Sequence, residues 1–379
     1  MAVQLFIPSY RVEECLDQIR ECLEAGWTGL GFKTVEFEEK WKDYTGLNNA
    51  HFLNSATAGL HLAVKILKET FLWDDGDEII STPLTFVSTN HAIAHEKMKT
   101  IFADIDEHLC LDPADVERKI GPKTRGVLFV GLGGNTGRYP EIVKLCKEYD
   151  LKLILDAAHM AGTRLNGSIP GKEADAVVYS FHAVKNLPTA DSGMICFTLK
   201  ELDDICRKYT WLGINKDTYT RTKESGAYKW KYNVDHLGYK YHGNSIMASI
   251  GLVQLKYLDA DNQYRRKIAN WYDEKFKNCK HICPVPISQG CDSSRHLYII
   301  EVNNRDELLN ILNENEIYPG VHYRDNTEYP MYEYALDTCP NATFKSGRIL
   351  SLPIHLKITQ NDVNMIGKII IDNAKQVAF

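Results

Sequence analysis

The chain has 379 residues, of which 44% are apolar and 25% charged, and its formal net charge is −6. This composition excludes a disordered or fibrous chain, and the length predicts two closely packed domains. Because the sequence shows no basic block, no membrane-length apolar run and no export signal, we expect a cytoplasmic protein without nucleic-acid or membrane partners.

Two helices are predicted at the start of the chain. The first ends near Gly26 and carries apolar side chains at helical spacing, which we expect to form one buried face: Val12, Cys15, Leu16, Ile19 and Leu23. The second spans Phe37 to Tyr44 and ends before Gly46.

From there to about residue 200, short apolar runs alternate with amphipathic segments. Five of these runs are rich in β-branched residues: Glu78–Ser81, Lys99–Ala103, Gly126–Val130, Lys152–Leu155 and Ala176–Ser180. Such runs, separated by helical patterns, predict the strands of a mainly parallel sheet covered on both faces. The fold class is therefore α/β, a three-layer sandwich.

The C-terminal third changes character. A long helical pattern from Ile246 to Lys277 leads into mixed short elements, which are predicted as a strand (Ser294–Val302), a helix (Arg305–Glu314), a strand (Gly320–Tyr323) and a capped helix (Thr359–Ala374). We expect a large domain over residues 1–255 and a smaller α+β domain over residues 256–379.

Ten cysteines are scattered through the chain without an export signal, so we expect reduced thiols, with Cys15 and Cys22 buried in a helix. One group could be drawn as a zinc site, but its spacing matches no common closed-site pattern: Cys279, His281, Cys283 and Cys291. No metal is expected.

A glycine-rich loop follows the strand that ends at Val130. It spans Gly131–Gly137, precedes a helix near Pro140, and is followed by Asp156 at the end of the next strand, as in a dinucleotide-binding fold. An NAD-dependent oxidoreductase is therefore an alternative. Against it, Thr136 stands at the third glycine position, and glycines before a helix more often form a tight turn.

Three other segments also lie where a predicted strand gives way to a loop or helix. The segment Asn54–Leu60 begins a helix with small and hydroxyl-bearing residues, which suits either a phosphate or a simple N-terminal cap. Asp156 ends a strand and precedes His159; it could orient a histidine, bind a metal or pair with a protonated ring nitrogen. Lys185 lies just beyond a buried strand. In a dry pocket its pKa would fall, which would give the neutral amine that forms an imine; the alternative is an ordinary, solvated surface lysine.

Together these segments resemble the sugar aminotransferases of the DegT/StrS family, a branch of the fold type I enzymes that use pyridoxal 5'-phosphate. The resemblance runs in order along nearly the whole chain through these segments: Gly26–Gly29, Phe37-Glu38, Pro83–Val87, Asp104–Asp106, Asp156–His159, Ser180–Lys185, Gly238–Tyr241, Gln254-Leu255 and Leu352–His355. Lys185 argues against the related dehydratase branch, which carries histidine at that position.

The resemblance also implies roles for individual residues. Lys185 would be the Schiff-base lysine and move the proton during transfer, and Asp156 would hold the ring nitrogen of the cofactor. Phe86 would stack on the ring, and His159, where the family commonly has glutamine, would lie near the ring hydroxyl. The remaining cofactor contacts would go to the phosphate: Thr57, Ala58, Ser180 and, from the partner subunit of a homodimer with shared active sites, Lys240.

For the reaction, the resemblance implies transfer of an amino group from an amino acid, L-glutamate, to the C3 or C4 keto group of a nucleotide-linked keto-deoxy sugar. Lys33 and His322 are candidate substrate contacts, with ordinary loop residues as the alternative. Two departures lie near the expected substrate: Ala190–Gly193 in place of Gly-Glu-Gly-Gly, and Tyr241–Gly243 in place of Tyr-Arg-Met. A cyclitol or aminobenzoate-type aminotransferase and a non-catalytic, cofactor-binding regulator remain alternatives.

Overall fold

The computed structural model describes residues 2–215 and 232–375. Within these ranges the helices are α1 (Val12–Glu24), α2 (Phe32–Thr45), α3 (Ala56–Thr70), α4 (Val87–His95), α5 (Pro113–Lys119), α6 (Tyr139–Glu148), α7 (Lys200–Thr210), α8 (Ser245–Phe276), α9 (Arg305–Glu314), α10 (Pro340–Ser346) and α11 (Gln360–Asn373). None of them is both long enough and apolar enough to cross a membrane.

The strands of the same ranges are β1 (Val3–Gln4), β2 (His51–Leu53), β3 (Glu78–Ser81), β4 (Lys99–Phe102), β5 (Thr124–Val130), β6 (Lys152–Asp156), β7 (Arg164–Leu165), β8 (Ala176–Ser180), β9 (Gly193–Phe197), β10 (Cys283–Pro284), β11 (Cys291–Asp292), β12 (Tyr298–Glu301), β13 (Ile317–Tyr318) and β14 (Ile349–Leu352). Seven of them form a central sheet in the order β2-β9-β8-β6-β5-β3-β4. Neighbouring strands from β8 to β4 are parallel, whereas β9 runs antiparallel to both of its neighbours.

The central sheet is buried on both faces because its strands are apolar at consecutive positions. Leu153 and Leu155 of β6 pack with Trp41 of α2 on one face, whereas Ile154 packs with Val64 of α3 on the other. Side chains of a strand alternate between the two faces of a sheet, so a strand buried on both faces must be apolar throughout. The predicted three-layer α/β sandwich is confirmed.

A second, smaller group of elements follows the long helix α8. Strands β10, β12 and β14 form an antiparallel sheet whose side chains pack with α9 and α11, and β1 from the start of the chain pairs with β13. The last turns of α8 also contribute to this second core through Ile268, Tyr272 and Phe276. Residue 255 falls inside α8, and the division into 1–255 and 256–379 stays a prediction.

The five predicted strands of the central sheet and the helices over 305–314 and 360–373 are confirmed. Helix α2 begins earlier than predicted because the Thr34 side chain and the Gly31 backbone cap its first turn. The predicted strand at 320–323 is wrong. Gly320 makes a single bridge to Ser351, and residues 321–323 belong to no strand.

The buried face of α1 also differs from the prediction. Cys15 and Cys22 are buried, as expected, and the Cys22 sulfur lies 3.3 Å from the Ser249 hydroxyl of α8. Val12 and Leu23, which were predicted to share that face, are 58% and 61% exposed, and Leu16 is exposed as well. All ten cysteines are free thiols.

Candidate active site

A cavity of about 390 Å³ lies at the edge of the central sheet where its parallel strands end. Its wall is built from residues that follow β2, β3, β6 and β8, the place where open α/β sheets bind ligands. The predicted site residues that line it are Thr57, Phe86, Asp156, His159, Ser180, Lys185 and His322. The volume suits a cofactor or small substrate.

Lys185 lies in the loop that follows β8 and is partly buried in the cavity wall. Its backbone N–H donates to the carbonyl of His182 at 2.9 Å. Across the described residues, 2–215 and 232–375, its Nζ has no hydrogen-bond or ion-pair partner. Burial lowers the pKa of Lys185 to about 8, although the Asp156 carboxylate partly opposes this shift. At a pH near this pKa about half of the Lys185 side chains carry a neutral amine, which can serve as nucleophile and as base.

Asp156 ends strand β6 and is almost fully buried, with 4% of its surface exposed. The Thr89 hydroxyl donates to Oδ2 at 2.9 Å, and the Ala158 N–H donates to Oδ1 at 3.1 Å. Burial raises the pKa of Asp156, and these two hydrogen bonds and the charge of Lys185 only partly offset it. Such a carboxylate favours a cationic partner, for example a protonated ring nitrogen.

The N-terminus of α3 lines the same cavity. Ser55 caps the helix, with its hydroxyl accepting from the Ala58 N–H at 3.1 Å, and Thr57 lines the cavity directly. Gly193 begins β9 directly against this turn; a Cβ there would lie 2.6 Å from the Ala56 nitrogen. Free N–H groups and the positive end of the helix dipole make this turn suitable for a phosphate.

His159 has a defined tautomer in its neutral form. Its Nδ1 accepts a hydrogen bond from the Gly133 N–H at 3.1 Å, so the proton lies on Nε2, which is 3.3 Å from the Tyr323 hydroxyl. Burial lowers the pKa of His159 well below its usual value, and Lys185 and His322 lower it further. His159 therefore offers the cavity a neutral hydrogen-bond donor.

Ser180 and His322 complete the polar wall. The Ser180 hydroxyl lies 3.4 Å from the His182 N–H, at the end of β8. His322 Nδ1 lies 2.9 Å from the Ser351 hydroxyl, and burial together with the charge of Lys185 lowers the pKa of His322 to about 4.

Three aromatic residues of the wall were missed by the sequence analysis: Phe6, His296 and Tyr323. The His296 ring lies 4.3 Å from that of His159 and 5.4 Å from that of Phe6, and the Tyr323 ring is 6.0 Å from that of Phe86. These contacts join opposite ends of the chain, so no local sequence pattern identifies them.

The glycine-rich loop belongs to this wall through its backbone. Gly133 and Gly134 adopt positive φ angles of 65° and 89° in a tight turn, and the Gly133 N–H is the one that fixes His159. Thr136 is buried, and its hydroxyl lies 2.8 Å from that of Ser288. The glycines thus allow the turn that places an amide against His159.

A sequence profile of the DegT/DnrJ/EryC1/StrS aminotransferase family matches residues 10–371. The chain belongs to this family. A relative from Saccharopolyspora spinosa, dTDP-4-dehydro-2,3,6-trideoxy-D-glucose 4-aminotransferase, is 30% identical over 96% of this chain and 95% of its own. The protein is a sugar aminotransferase, as the sequence resemblance implied.

Solved structures agree with this assignment. PseC of Helicobacter pylori, an aminotransferase involved in the biosynthesis of pseudoaminic acid, superimposes with a TM-score of 0.90 at 26% identity, over 98% of this chain and 99% of its own. The PLP form of the putative sugar aminotransferase Spr1654 from Streptococcus pneumoniae superimposes with a TM-score of 0.88 at 26% identity, over 97% of each chain. The fold is that of the type I aminotransferases, and the cofactor is pyridoxal 5'-phosphate.

The cavity of this aminotransferase fits that cofactor. A reactive lysine, a buried carboxylate and a helix N-terminus line one space of suitable size, and they match its aldehyde, ring nitrogen and phosphate in chemistry. Ala58 faces an adjoining cavity of about 690 Å³ that shares Ser55, Thr57 and Asp191 with the first.

Two predicted site residues lie away from the cavity of their own chain. The Lys240 ammonium group lies 3.3 Å from the centre of the Trp211 ring, and burial lowers its pKa. Lys33 is buried against α1, with its Nζ 2.7 Å from Glu21 and 3.4 Å from Glu36. Neither side chain lines the cavity that contains Lys185.

The two departures from the family pattern lie near the site. Asp191 lines both cavities, next to the N-terminus of α3. His242 pairs with Leu53 at the end of β2, and a Cβ at Gly243 would lie 2.2 Å from the Phe52 ring. Glycine at 243 therefore has a packing reason, and Asp191 keeps a carboxyl side chain beside the helix N-terminus, where the family pattern has glutamate.

Proposed function

We propose that this sugar aminotransferase moves an amino group from L-glutamate to the C3 or C4 keto group of a nucleotide-linked keto-deoxy sugar. The observation that carries the proposal is the position of Lys185, partly buried with a lowered pKa in the same cavity as Asp156. The named activity of the Saccharopolyspora relative supports a nucleotide-linked substrate. The adjoining cavity of about 690 Å³ provides room for a large acceptor.

Bound pyridoxal phosphate supplies the carbonyl group that carries nitrogen and a ring that withdraws electrons. Lys185 Nζ would take the proton from Cα of the donor and pass it to the carbonyl carbon of the cofactor, and in the second half of the reaction it would return a proton from that carbon to the sugar carbon. Asp156, held by hydrogen bonds from Thr89 and Ala158, would keep a positive charge on the ring nitrogen. In the second half of the reaction Lys185 acts in the reverse direction.

The other residues of the site bind and orient the cofactor. Thr57, Ala58 and Ser180 bind the phosphate, with Lys240 of a second subunit reaching it in a homodimer. Phe86, whose ring is 58% exposed in this chain, covers one face of the cofactor ring. His159 donates from Nε2 to the ring oxygen, because the Gly133 amide occupies its other nitrogen.

His322 lines the cavity and is proposed as a substrate contact. As a neutral imidazole it can hydrogen-bond a sugar hydroxyl without introducing a charge. For Lys33 the position favours a structural role, since its ammonium group already pairs with Glu21 and Glu36.

The test is a panel of keto substrates offered to the holoenzyme with L-glutamate. Formation of 2-oxoglutarate with a nucleotide-linked keto sugar, and not with the free sugar, is expected, and proton NMR of the product distinguishes C3 from C4 amination. Turnover of a cyclitol ketone or an aminobenzoate precursor, with none for any nucleotide-linked sugar, would contradict the proposal and favour the alternative aminotransferases.

A further inference from the structure

Behind the Lys185 loop lies a small cavity next to the partly buried guanidinium group of Arg265. The cavity is lined by Lys185, His296, His355, Asp261 and Arg265 among others. The Nη1 atom of Arg265 is buried and has no hydrogen-bond partner. Within residues 2–215 and 232–375, the guanidinium group of Arg265 forms no ion pair. A buried guanidinium without a counter-charge is strongly unfavourable.

The nearest carboxylate is already engaged. Asp261, one turn earlier on α8, accepts from both terminal nitrogens of Arg11, at 2.7 and 2.6 Å. Asp261 thus pairs with Arg11 and not with Arg265. Burial lowers the pKa of Arg265 to about 10, a shift that Asp261 opposes and Arg11 increases. Arg265 remains charged at neutral pH and lacks an anion of its own.

The neighbouring imidazoles cannot supply that anion. His355 Nε2 donates to the Gln4 carbonyl at 3.0 Å, and its Nδ1 accepts from the Lys357 N–H at 3.2 Å. His296 Nδ1 donates to Asn186 Oδ1 at 2.9 Å, since the Asn186 amide nitrogen is itself a donor. Both rings are neutral and already held by the protein.

The size of the cavity limits what can occupy it. Its volume is about 20 Å³, enough for one water-sized occupant and too small for a carboxylate or phosphate group. We propose that this cavity is a binding site for a single halide ion, chloride under ordinary conditions, held by Arg265. The ion would balance the charge of Arg265 directly behind His296, which lines both this cavity and the active site.

Crystals of the holoenzyme grown in bromide give a direct test, because bromide resembles chloride and scatters anomalously. We expect an anomalous peak within hydrogen-bond distance of Arg265 Nη1. A water molecule at that place, with no anomalous signal, would overturn the proposal.

Solution experiments test the same site with matched variants. Thermal unfolding of the holoenzyme is followed while chloride is replaced by gluconate at constant ionic strength, since gluconate is too large for the cavity. Above the dissociation constant, each tenfold rise in chloride should raise the folded-to-unfolded ratio by about tenfold. Arg265→Met should lose this dependence. Arg266→Met, which removes the neighbouring arginine that pairs with Asp292, should retain it.

A wild-type enzyme that unfolds identically in chloride and gluconate contradicts the site, as does an Arg265→Met variant with unchanged chloride dependence. If Arg265→Met does not fold, the bromide crystals and the wild-type salt series still decide the question.

Discussion

The Thr89 hydroxyl, from the first turn of α4, donates a 2.9 Å hydrogen bond to Oδ2 of Asp156 at the end of β6. This bond joins the helix that follows β3 to the last residue of β6. It opposes the rise that burial causes in the pKa of Asp156, and so favours the ionised carboxylate that a protonated cofactor ring would need.

Thr89→Val should therefore weaken cofactor binding. A hydrogen bond to a charged group contributes roughly 1.5 kcal/mol or more, so the dissociation constant of pyridoxal phosphate should rise about tenfold. Equilibrium titration of the apoenzyme with pyridoxal phosphate measures this dissociation constant. Thr85→Val is the control, because that hydroxyl contacts Thr89 at 3.0 Å and not Asp156. Equal effects of the two substitutions would contradict the assigned role of Thr89.

His159→Gln should retain activity to within about tenfold, whereas His159→Leu should lower kcat/KM by about a hundredfold, the usual scale for removing one such donor. A glutamine amide can accept from the Gly133 N–H and donate into the cavity, as the imidazole does. Steady-state kinetics of both variants test this. Since His159 is neutral across the working range, the pH profile of His159→Gln should match that of the wild type. A glutamine variant as inactive as the leucine variant would exclude the donor role.

Substitution of Lys240 tests whether the two subunits of a dimer share their active sites. If Lys240 acts on the partner's cofactor, mixing Lys185→Ala subunits with Lys240→Ala subunits forms a heterodimer with one intact site. Random exchange should then restore about a quarter of the wild-type activity, because half of the dimers are mixed and each has one working site. Absence of any recovery after verified subunit exchange would show that Lys240 does not act across a dimer.

Glu38 lies away from the active site, and we expect it to make the stability of the fold depend on pH. Its carboxylate is buried and forms hydrogen bonds with His51 at 2.9 Å, the Phe52 N–H at 2.8 Å and Arg207 at 3.0 Å. Burial alone would raise the pKa of Glu38, but the charge of Arg207, His51 and the Phe52 amide outweigh it and lower the pKa to about 2.

Because folding lowers this pKa, the contribution of Glu38 is fully present above about pH 4.5 and is lost as the pH falls toward 2. The lowered pKa of Glu38 contributes about 3 kcal/mol to the free energy of unfolding at neutral pH. Urea unfolding between about pH 6 and pH 3 should show a shallower loss of stability for Glu38→Gln than for the wild type. Glu39→Gln is the control, since that neighbouring carboxylate is 62% exposed and, among the residues that the structure describes, pairs with Lys42 alone. Identical pH slopes for wild type and Glu38→Gln would refute this account.

The sequence was most informative where a residue and its structural reason are close in the chain. Asp156 and Lys185 could be placed because each directly follows an apolar run that had to be a buried strand. Strand β9 was missed although Gly193–Phe197 is apolar, because its antiparallel pairing with β2 and β8 depends on contacts far apart in sequence.

Other features depend on tertiary packing alone. The exposed Val12 and Leu23 have the same helical spacing as buried residues, and only the docking of α1 on α8 decides which face is covered. Phe6 and His296 reach the active site from opposite ends of the chain. The uncompensated charge of Arg265 emerges only when Asp261 is seen to pair with Arg11.

The absorbance spectrum of the purified holoenzyme, before and after L-glutamate, tests the central claim most directly when wild type and Lys185→Ala are compared. The wild type should show the visible absorbance of the bound cofactor, lose it with glutamate and regain it with the keto substrate. Lys185→Ala should show neither this response nor turnover, whereas Lys200→Ala, at an exposed lysine, should behave as wild type. Full activity and a wild-type spectrum in Lys185→Ala would contradict the account.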